Sequence, residues 1–305
     1  MNIAVFGAGS IGSLFAGRIA YSGFEVAVVG RNPHVTEINK KGLRIIEDQE
    51  EIVTHFPAAT NFPPEGENPD AIFVTTKAYD NEVVAKGLSG QISNEIPIFI
   101  LQNGMGNEEV FCRGFPSNPI FRGITTEAAE LIYPGIVKHV AFGKTSFGII
   151  AGEENGFGPR FQSIMRDSGF NTKKTKNIKL TMWQKVLTNA TICPLGALLH
   201  VPNGLILEKS SIIQIFDAIL EEGIAVAKQN LPDENFSHTR DYILSVMEKT
   251  SNNKCSMLQD IERGRKTEID YMNGFIVRES TRLGLKAPVN AAIADLIRHL
   301  ERYPQ

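Results

Sequence analysis

The chain has 305 residues, a length that suits two domains better than one. Apolar residues make up 42% of it and charged residues 21%, so the chain can bury a sizeable core and is not expected to be disordered. Lys and Arg total 31 and Asp and Glu total 34, which leaves a formal net charge of -3. A broad nucleic-acid surface needs an excess of basic residues, so this balance argues against a nucleic-acid partner.

Membrane insertion, secretion and metal binding are disfavoured as well. No uncharged apolar run is long enough to span a bilayer, and the chain enters a strand pattern at residue 2 rather than a cleavable leader. The cysteines, Cys112, Cys193 and Cys255, form neither a disulfide framework nor a zinc pattern. His139 and His200 lack metal-like partners and are expected to be structural or solvent-facing. We therefore expect a cytoplasmic protein without a metal site, whose thiols are small buried side chains.

The first half alternates strand and helix patterns. Four short segments are apolar throughout, as expected of buried strands: Asn2–Phe6, Glu25–Val29, 71–75 and 97–101. Because helical patterns separate them, these strands indicate a parallel sheet covered on both faces. Glycines punctuate short β-rich runs in residues 120–150, which indicates an antiparallel extension of the same sheet.

The pattern changes after residue 170. Residues 171–179 are polar and basic, and because the run is short and lacks aromatic residues we interpret it as a solvated connector. From Leu180 onward apolar residues recur at helical spacing, most clearly in four segments: 211–229, 242–247, 267–282 and 289–300. The predicted fold class is α/β, a Rossmann-type doubly wound sheet in residues 1–172 followed by an all-helical domain in residues 173–305.

The first predicted turn contains a G-x-G-x-x-G motif, Gly7-Ala8-Gly9-Ser10-Ile11-Gly12. The motif follows a predicted strand and opens a predicted helix, which is the context of a dinucleotide-binding turn. Gly7 permits the tight turn, Gly9 lets the backbone approach a pyrophosphate, and Gly12 lets the helix pack closely on the strand. The helix N-terminus offers unpaired N–H groups to the phosphates. We predict a dinucleotide site here; the alternative is a glycine-rich turn without a ligand.

The end of the second strand indicates which dinucleotide binds. An NAD site usually has an acidic residue there, whereas this chain has Gly30-Arg31-Asn32. A guanidinium binds a 2′-phosphate in a bidentate manner, and no carboxylate sits at this point of the sequence to repel it. We therefore predict NADPH as the cofactor, with Arg31 as the 2′-phosphate ligand; the alternative is an arginine that faces water.

Two polar residues follow later strands. Lys77 comes after the third predicted strand, and Asn103 comes after the fourth. In an open α/β sheet, ligands bind outside the carboxyl ends of the strands. Taken separately, each residue is also compatible with an ordinary surface lysine or turn asparagine.

A polar stripe marks the second half of the chain. Lys185, Asn189 and Cys193 recur every four residues, so they share one helix face, and Pro194 then ends or kinks the helix. A polar stripe is usually a solvated face. Because Trp183 and other apolar residues flank this one, it is also a candidate for the wall of a cleft.

These features together resemble the ketopantoate reductases, or 2-dehydropantoate 2-reductases. The resemblance covers about residues 1 to 300 in order, and the ordered set is far more specific than any single motif. Its parts are the N-terminal Gly-Ala-Gly-Ser-Ile-Gly, Thr76-Lys77, Gln102-Asn103-Gly104, Trp183 with Lys185 and Asn189, Pro202-Asn203-Gly204, Ser256-Met257-Leu258-Gln259-Asp260 and Thr267-Glu268-Ile269-Asp270.

The resemblance implies roles for residues of the second half. Lys185 resembles the lysine that polarises the substrate carbonyl and donates the proton, and Glu268 resembles the carboxylate that binds the substrate hydroxyl. Asn189, Asn203 and Ser256 resemble the polar groups that hold the substrate. Lysine suits its role because an ammonium stabilises negative charge on a carbonyl oxygen and can then release a proton.

The resemblance also implies roles in the first half, and one position departs from it. Asn103 and Lys77 resemble residues that bridge cofactor and substrate, and Arg31 resembles the 2′-phosphate ligand. At the substrate-binding position occupied by Cys193, better-known members of the family carry asparagine. A thiol is a weaker hydrogen-bond partner than an amide, so a substrate hydroxyl would lose a contact worth about 0.5–1.5 kcal/mol.

The implied function is NADPH-dependent reduction of the 2-oxo group of ketopantoate to pantoate, a step of pantothenate biosynthesis. The substrate is expected between the domains, where strand ends meet helical side chains. The sequence leaves two alternatives: an NADP-dependent reductase of a different 2-oxo acid, or a non-catalytic NADP(H)-binding regulator. The expected partner is a small 2-oxo acid, with neither nucleic acid nor membrane, and a homodimer is kept as an option.

Overall fold

The computed structural model describes residues 1–48, 50–62 and 69–302. Its internal contacts divide the chain into two compact units. The first unit comprises Met1–Gln102 and Asn107–Ile178, and the second comprises Asn103–Gly106 and Lys179–Gln305. The short segment Asn103–Gly106 thus packs with the second unit, although it lies within the range 1–172 that the sequence predicted as one domain.

The first unit is built from strands and helices that alternate along the chain. Its described strands are β1 Asn2–Phe6, β2 Glu25–Val29, β3 Leu43–Glu47, β4 Glu50–Thr54, β5 Ala58–Ala59, β6 Ala71–Val74, β7 Ile98–Ile100, β8 Ile120–Thr125, β9 Ala128–Tyr133, β10 Ile136–Ala141, β11 Thr145–Ala151 and β12 Thr172–Lys174. Its helices are α1 Ser10–Tyr21, α2 His34–Lys41, α3 Asn81–Leu88, α4 Asn107–Gly114 and α5 Phe157–Asp167.

Eight of these strands form one sheet in the order β12-β11-β8-β7-β6-β1-β2-β5. The pairing is parallel except between β11 and β8. Successive residues of a strand point to opposite faces, and both faces are buried: Phe73 and Phe99 pack in one core cluster, while Ile72 and Ile100 pack in another. Apolar residues on both faces explain why these strands read as continuous apolar segments.

Four strands form a separate sheet in the order β4-β3-β10-β9. The antiparallel extension predicted for residues 120–150 is therefore correct for β8 and β11 but wrong for β9 and β10. Strand β10 instead pairs in parallel with β3, a strand that the sequence pattern did not reveal. Only one face of β9 and β10 can be buried against the unit, so their residues are partly exposed and their pattern is weak.

The segment 171–179 is not a plain connector. It contains β12, the end strand of the eight-stranded sheet, which pairs in parallel with β11, and then the start of the next helix. Thr172 is buried, whereas Lys173 and Lys174 are exposed. Charged side chains are common on edge strands because they discourage pairing with another chain. Because of these lysines, the segment lacks the apolar pattern from which a strand is predicted.

The described part of the second unit is helical. Its helices are α6 Ile178–Leu199, α7 Ser210–Asn230, α8 Thr239–Lys249, α9 Ser256–Glu262, α10 Asn273–Arg282 and α11 Pro288–Arg302. Helix α6 continues through Pro194 instead of ending there. The helix predicted for residues 267–282 begins only at Asn273, because the Thr267 hydroxyl accepts the N–H of Ile269 at 3.2 Å and a 3-10 turn follows.

Within the described ranges, no helix combines the length and the apolarity needed to cross a membrane.

Candidate active site

The glycine-rich turn joins β1 to α1 in the first unit. Gly7 has φ +109°, and a Cβ there would lie 2.5 Å from the backbone nitrogen of Thr76. A Cβ at Gly12 would lie 1.9 Å from the carbonyl oxygen of Gly7. The Thr75 hydroxyl donates to the carbonyl oxygens of Phe6 and Gly7, at 3.0 and 2.8 Å. The turn is therefore packed too tightly for side chains at Gly7 and Gly12.

Gly9, in contrast to Gly7 and Gly12, has free space around it. A Cβ there would meet no atom within 4 Å, so the backbone in front of α1 borders open space. Gly9 is the N-cap of α1 and has no side chain to bond the first N–H groups of the helix. Ala8, Ser10 and Ile11 are half-buried beside it. Free N–H groups at a helix N-terminus and room for a close approach are what a pyrophosphate requires, so the turn fits a dinucleotide.

Arg31 follows β2 and is exposed over 82% of its side chain. Its Nη2 contacts the Asp80 carboxylate at 2.9 Å. The sequence shows no carboxylate next to Arg31, and the structure brings one there from a distant segment, because Asp80 lies in the 3-10 turn after β6. The arginine remains largely exposed, so most of its donors can still reach a 2′-phosphate.

A buried amide network supports the strand ends near Lys77 and was not foreseen from the sequence. Gln102 Nε2 donates to the carbonyl oxygen of Thr76 at 2.9 Å and to Asn81 Oδ1 at 2.6 Å. Asn81 Nδ2 donates to Asn107 Oδ1 at 3.1 Å. Because Gln102 lies two residues after the apolar strand β7, a polar amide close to a strand end was the available signal. Lys77 itself is half-buried.

Asn103 opens the loop that packs with the second unit. Gly104 has φ +79°, and a Cβ there would lie 2.4 Å from the carbonyl oxygen of Tyr271. The Met105 N–H donates to the same carbonyl oxygen at 2.9 Å. Asn103 is half-buried, and its loop is tied to the segment that follows Glu268.

Helix α6 carries the polar stripe of the second unit. Lys185 and Asn189 are half-buried and Cys193 is buried, four residues apart on one face. Burial lowers the pKa of the Lys185 ammonium, and this effect exceeds the opposing interaction with Cys193. The burial of these side chains excludes the interpretation of the stripe as a solvated face.

Two thiols and a carboxylate surround this face. Interaction with the Cys255 side chain and burial both raise the pKa of the Cys193 thiol. Cys255 Sγ also donates to the carbonyl oxygen of Cys193 at 3.3 Å. Glu268 is buried and interacts electrostatically with Cys193, as Lys185 does. Lys185, Cys193 and Glu268 are thus brought together, along with Cys255, whose own segment contains no pattern that indicates a role.

Asn203 and Ser256 lie on segments that lead to this cluster. Ser256 is exposed at the start of α9, directly after Cys255. Asn203 is buried, and its Nδ2 donates to the Thr250 hydroxyl at 2.9 Å. Its backbone N–H donates to the carbonyl oxygen of Asn253 at 3.0 Å, which ties Asn203 to the segment just before Cys255.

His139 and His200, the histidines considered in the sequence analysis, lie outside this cluster. His139 is buried and bonded to two carboxylates, Glu47 at 2.9 Å and Glu127 at 2.7 Å. His200 is largely exposed, with Nε2 3.1 Å from Glu262. Among the described residues, no group of three or more His, Cys, Asp or Glu side chains could hold a metal ion.

Comparison with models of protein families identifies the family of this chain. The model of ketopantoate reductase PanE/ApbA matches residues 3–152, and the model of its C-terminal domain matches residues 177–301. The chain belongs to the ketopantoate reductase family. Family membership confirms the resemblance, the α/β fold class and the class of enzyme, an NADP-dependent oxidoreductase.

Relatives match over their whole length. The 2-dehydropantoate 2-reductase of Pyrococcus horikoshii is 36% identical over 301 residues, covering 99% of this chain and 98% of the relative. That of Archaeoglobus fulgidus is 33% identical over 304 residues, with 98% of each chain covered. Among solved structures, a D-mandelate dehydrogenase with NADH and anilino(oxo)acetate has a TM-score of 0.92 at 27% identity, covering 99% of both chains.

Proposed function

We propose that the protein reduces the 2-oxo group of ketopantoate to give pantoate, with NADPH as the reductant. The observation that carries the proposal is the face of α6, where the half-buried Lys185 lies with Asn189 and Cys193. Cys193 interacts electrostatically with both Lys185 and the buried Glu268. A small anionic 2-oxo acid needs a cation at its keto oxygen and polar groups around it, and this face offers both.

The cofactor is assigned to the glycine-rich turn and to Arg31. The Gly9 backbone and the open N-terminus of α1 are suited to the pyrophosphate, and the exposed guanidinium of Arg31 is suited to the 2′-phosphate. Lys77 and Asn103 are assigned to the region between cofactor and substrate. When bound, NADPH supplies the hydride.

Lys185 acts on the keto oxygen of the substrate. Its ammonium stabilises the negative charge that develops on that oxygen and then delivers a proton from Nζ. Burial lowers the pKa of Lys185, which makes the ammonium a better proton donor than an exposed lysine. A positioned general acid of this kind typically contributes about 10²–10⁴-fold to the rate.

The other polar groups orient the substrate. The buried carboxylate of Glu268 is assigned to the substrate hydroxyl, and the side chains of Asn189, Asn203 and Ser256 are assigned to the remaining polar groups. Cys193 contributes little hydrogen bonding to the substrate, because a thiol is a weak donor and a weak acceptor.

A second candidate function is reduction of a 2-oxo acid that lacks the ketopantoate hydroxyl. The Cys193 thiol favours it, since this position would give such a hydroxyl only a weak partner. The similarity to a D-mandelate dehydrogenase, solved with anilino(oxo)acetate, is in line with a different tail on the oxo acid. A cytoplasmic location and a homodimer also remain proposals; light scattering on the purified protein tests the latter.

Steady-state turnover tests these proposals. NADPH oxidation is followed by absorbance with ketopantoate and with branched and straight-chain 2-oxo acids, and each is repeated with NADH. We expect the highest kcat/KM for ketopantoate with NADPH. A higher value for another oxo acid would favour the second candidate, and a preference for NADH would overturn the role of Arg31. Tight NADPH binding without oxidation by any oxo acid would indicate a regulator.

A further inference from the structure

Helix α6 contains a defect close to the proposed reaction centre. Pro194 lacks an N–H, so the carbonyl oxygen of Ala190, four residues earlier, lacks its regular donor within the helix. This carbonyl lies directly after Asn189 and before Cys193, between two members of the polar face. A buried carbonyl without a partner is costly, so the helix is stable here only if another element supplies a donor.

Asn273 supplies that donor. Its Nδ2 donates to the carbonyl oxygen of Ala190 at 3.0 Å and to Asn290 Oδ1 at 3.0 Å. Asn273 and Asn290 are both 0% exposed. An amide nitrogen has two hydrogens, and both are used, so the orientation of the Asn273 side chain is fixed.

Asn290 is held in turn by α7. Its Nδ2 donates to the carbonyl oxygen of Ile219 at 3.1 Å and to Glu222 Oε2 at 2.8 Å. The Glu222 carboxylate also accepts the N–H groups of Val289 and Asn290 at 2.9 Å each, at the start of α11. A continuous chain of hydrogen bonds therefore runs from α7 through α11 and Asn273 to the interrupted turn of α6.

Asn273 also has a fixed relation to Glu268. It lies five residues after Glu268, separated from it by the 3-10 turn Ile269–Tyr271, and it is the first residue of α10. One side chain thus ties the segment that carries Glu268 to the helix that carries Lys185. We propose that Asn273 is a positioning residue, which sets the Lys185 face of α6 against Glu268; this rests on the proposed roles of those two residues.

Loss of this hydrogen-bonded link should change the surroundings and the pKa of Lys185. Without Asn273, the Ala190 carbonyl must find another donor, and the turn that follows Asn189 loosens. Among the described residues, the ionisable group that interacts with Lys185 is Cys193, and Cys255 and Glu268 interact with Cys193. Greater hydration of this cluster would return the pKa of Lys185 toward its ordinary value, because burial is what lowers it.

The test uses Asn273→Leu, which keeps the side-chain volume approximately and removes both donors. We expect kcat for ketopantoate to fall by roughly ten- to a hundredfold, since small misplacements of reacting groups have effects of this size. The alkaline limb of the kcat profile should move to higher pH, while the KM for NADPH stays within about twofold, because the cofactor residues are untouched. A merely structural role would lower the Tm without moving the limb.

Asn230→Leu is the matched control. Asn230 also donates to a helix carbonyl, that of Val226 at 3.1 Å, and its Oδ1 accepts from Arg282. Among the described residues, neither of these hydrogen-bond partners lies on α6. This variant should lose some thermal stability with an unchanged pH profile. Pro194→Ala restores the missing N–H, so the double variant Pro194→Ala/Asn273→Leu should regain part of the lost Tm and kcat; Asn273→Ser is a second single variant if Asn273→Leu does not fold.

A readout independent of turnover separates this inference from the proposed function. The pKa of Lys185 is followed by NMR after reductive methylation with 13C-formaldehyde, in the wild type and in each variant. An upward shift in Asn273→Leu, absent in Asn230→Leu, supports the positioning role even if ketopantoate proves not to be the substrate. An unchanged Lys185 titration and an unchanged kcat profile in the folded Asn273 variants would overturn it.

Discussion

The two units of the molecule present their proposed ligand groups in opposite ways. In the first unit the glycine-rich turn works through missing side chains: Gly7 and Gly12 leave room for the protein's own backbone, and Gly9 leaves room in front of it. In the second unit, α6 presents side chains, and Lys185 depends on the groups packed around it. A site made of backbone is specified by a few local residues, whereas a site made of side chains is specified by distant ones.

The two arrangements also differ in how they respond to change. A backbone site is lost when a side chain is added, and the cost can be read from the space available at each glycine. A side-chain site is lost when one group is removed or when its surroundings admit water.

Removal of the Lys185 ammonium should have the largest effect. In Lys185→Ala, kcat with ketopantoate should fall by about 10²–10⁴-fold, because the keto oxygen loses its cation and proton donor. NADPH binding, measured by fluorescence titration, should be retained. Lys179→Ala changes an exposed lysine of the same helix and should leave kcat unchanged. Near-normal turnover of Lys185→Ala would remove the assignment.

A methyl group at Gly9 should separate binding from folding. In Gly9→Ala the new Cβ meets no protein atom, so the Tm should stay within a few degrees of the wild type. The methyl group would obstruct the pyrophosphate, and we expect the Kd for NADPH to rise by at least about tenfold, or roughly 1.4 kcal/mol. Gly87→Ala, in α3, also adds a Cβ in open space and serves as the control. Equal NADPH affinity in the two variants would contradict the assignment.

An amide at residue 193 should sharpen substrate choice. Cys193→Asn offers a substrate hydroxyl a better partner, so KM for ketopantoate should fall by about two- to tenfold, the equivalent of a hydrogen bond of 0.5–1.5 kcal/mol. The KM for 2-oxo acids without a hydroxyl should not improve. Cys112→Asn, at a half-buried thiol of the first unit, is the control. A KM that rises equally for all oxo acids would show only that the larger side chain does not fit.

The smallest effect concerns the pH dependence of stability in the first unit. Burial alone lowers the pKa of His139, but hydrogen bonds to Glu127 and Glu47 outweigh it and raise the pKa above the ordinary 6.5. The charged form of His139 therefore stabilises the fold fully below pH 6.5, and this contribution is lost as the pH rises through the raised value. In His139→Gln, the Tm should depend less on pH above 6.5, by a few degrees at most.

Circular dichroism melts at several pH values measure this dependence. The exposed His200 gives the control His200→Gln, which should keep the wild-type dependence. A wild-type Tm that rises between pH 6.5 and 8, relative to His139→Gln, would reverse the predicted sign and contradict the charged state of His139.

The parts of the fold that the sequence predicted well are those fixed by local constraints. Strands β1 and β2 and helix α1 were found because their apolar periods are continuous and a glycine motif separates them. The second sheet was missed because its order depends on β10 pairing with β3, which lies about 90 residues earlier in the chain. Strand β12 was missed because its exposed lysines resemble a connector.

The same distinction applies to the candidate site. The shared face of Lys185, Asn189 and Cys193 follows from a spacing of four residues, which any helix imposes. Two contacts join residues that are far apart in sequence: Arg31 with Asp80, and Cys193 with Cys255. No local sequence pattern predicts such contacts. The roles of Glu268 and Ser256 came from the resemblance alone, since neither stands out in its own segment.

The central claim is that the Lys185 ammonium is the proton donor to the keto oxygen, and the pH dependence of kcat tests it most directly. If Lys185 is the donor, kcat for ketopantoate falls at alkaline pH with an apparent pKa below the ordinary lysine value of 10.5, because burial lowers the pKa of Lys185. The limb should also disappear from the residual activity of Lys185→Ala. The same limb in that variant would contradict the claim.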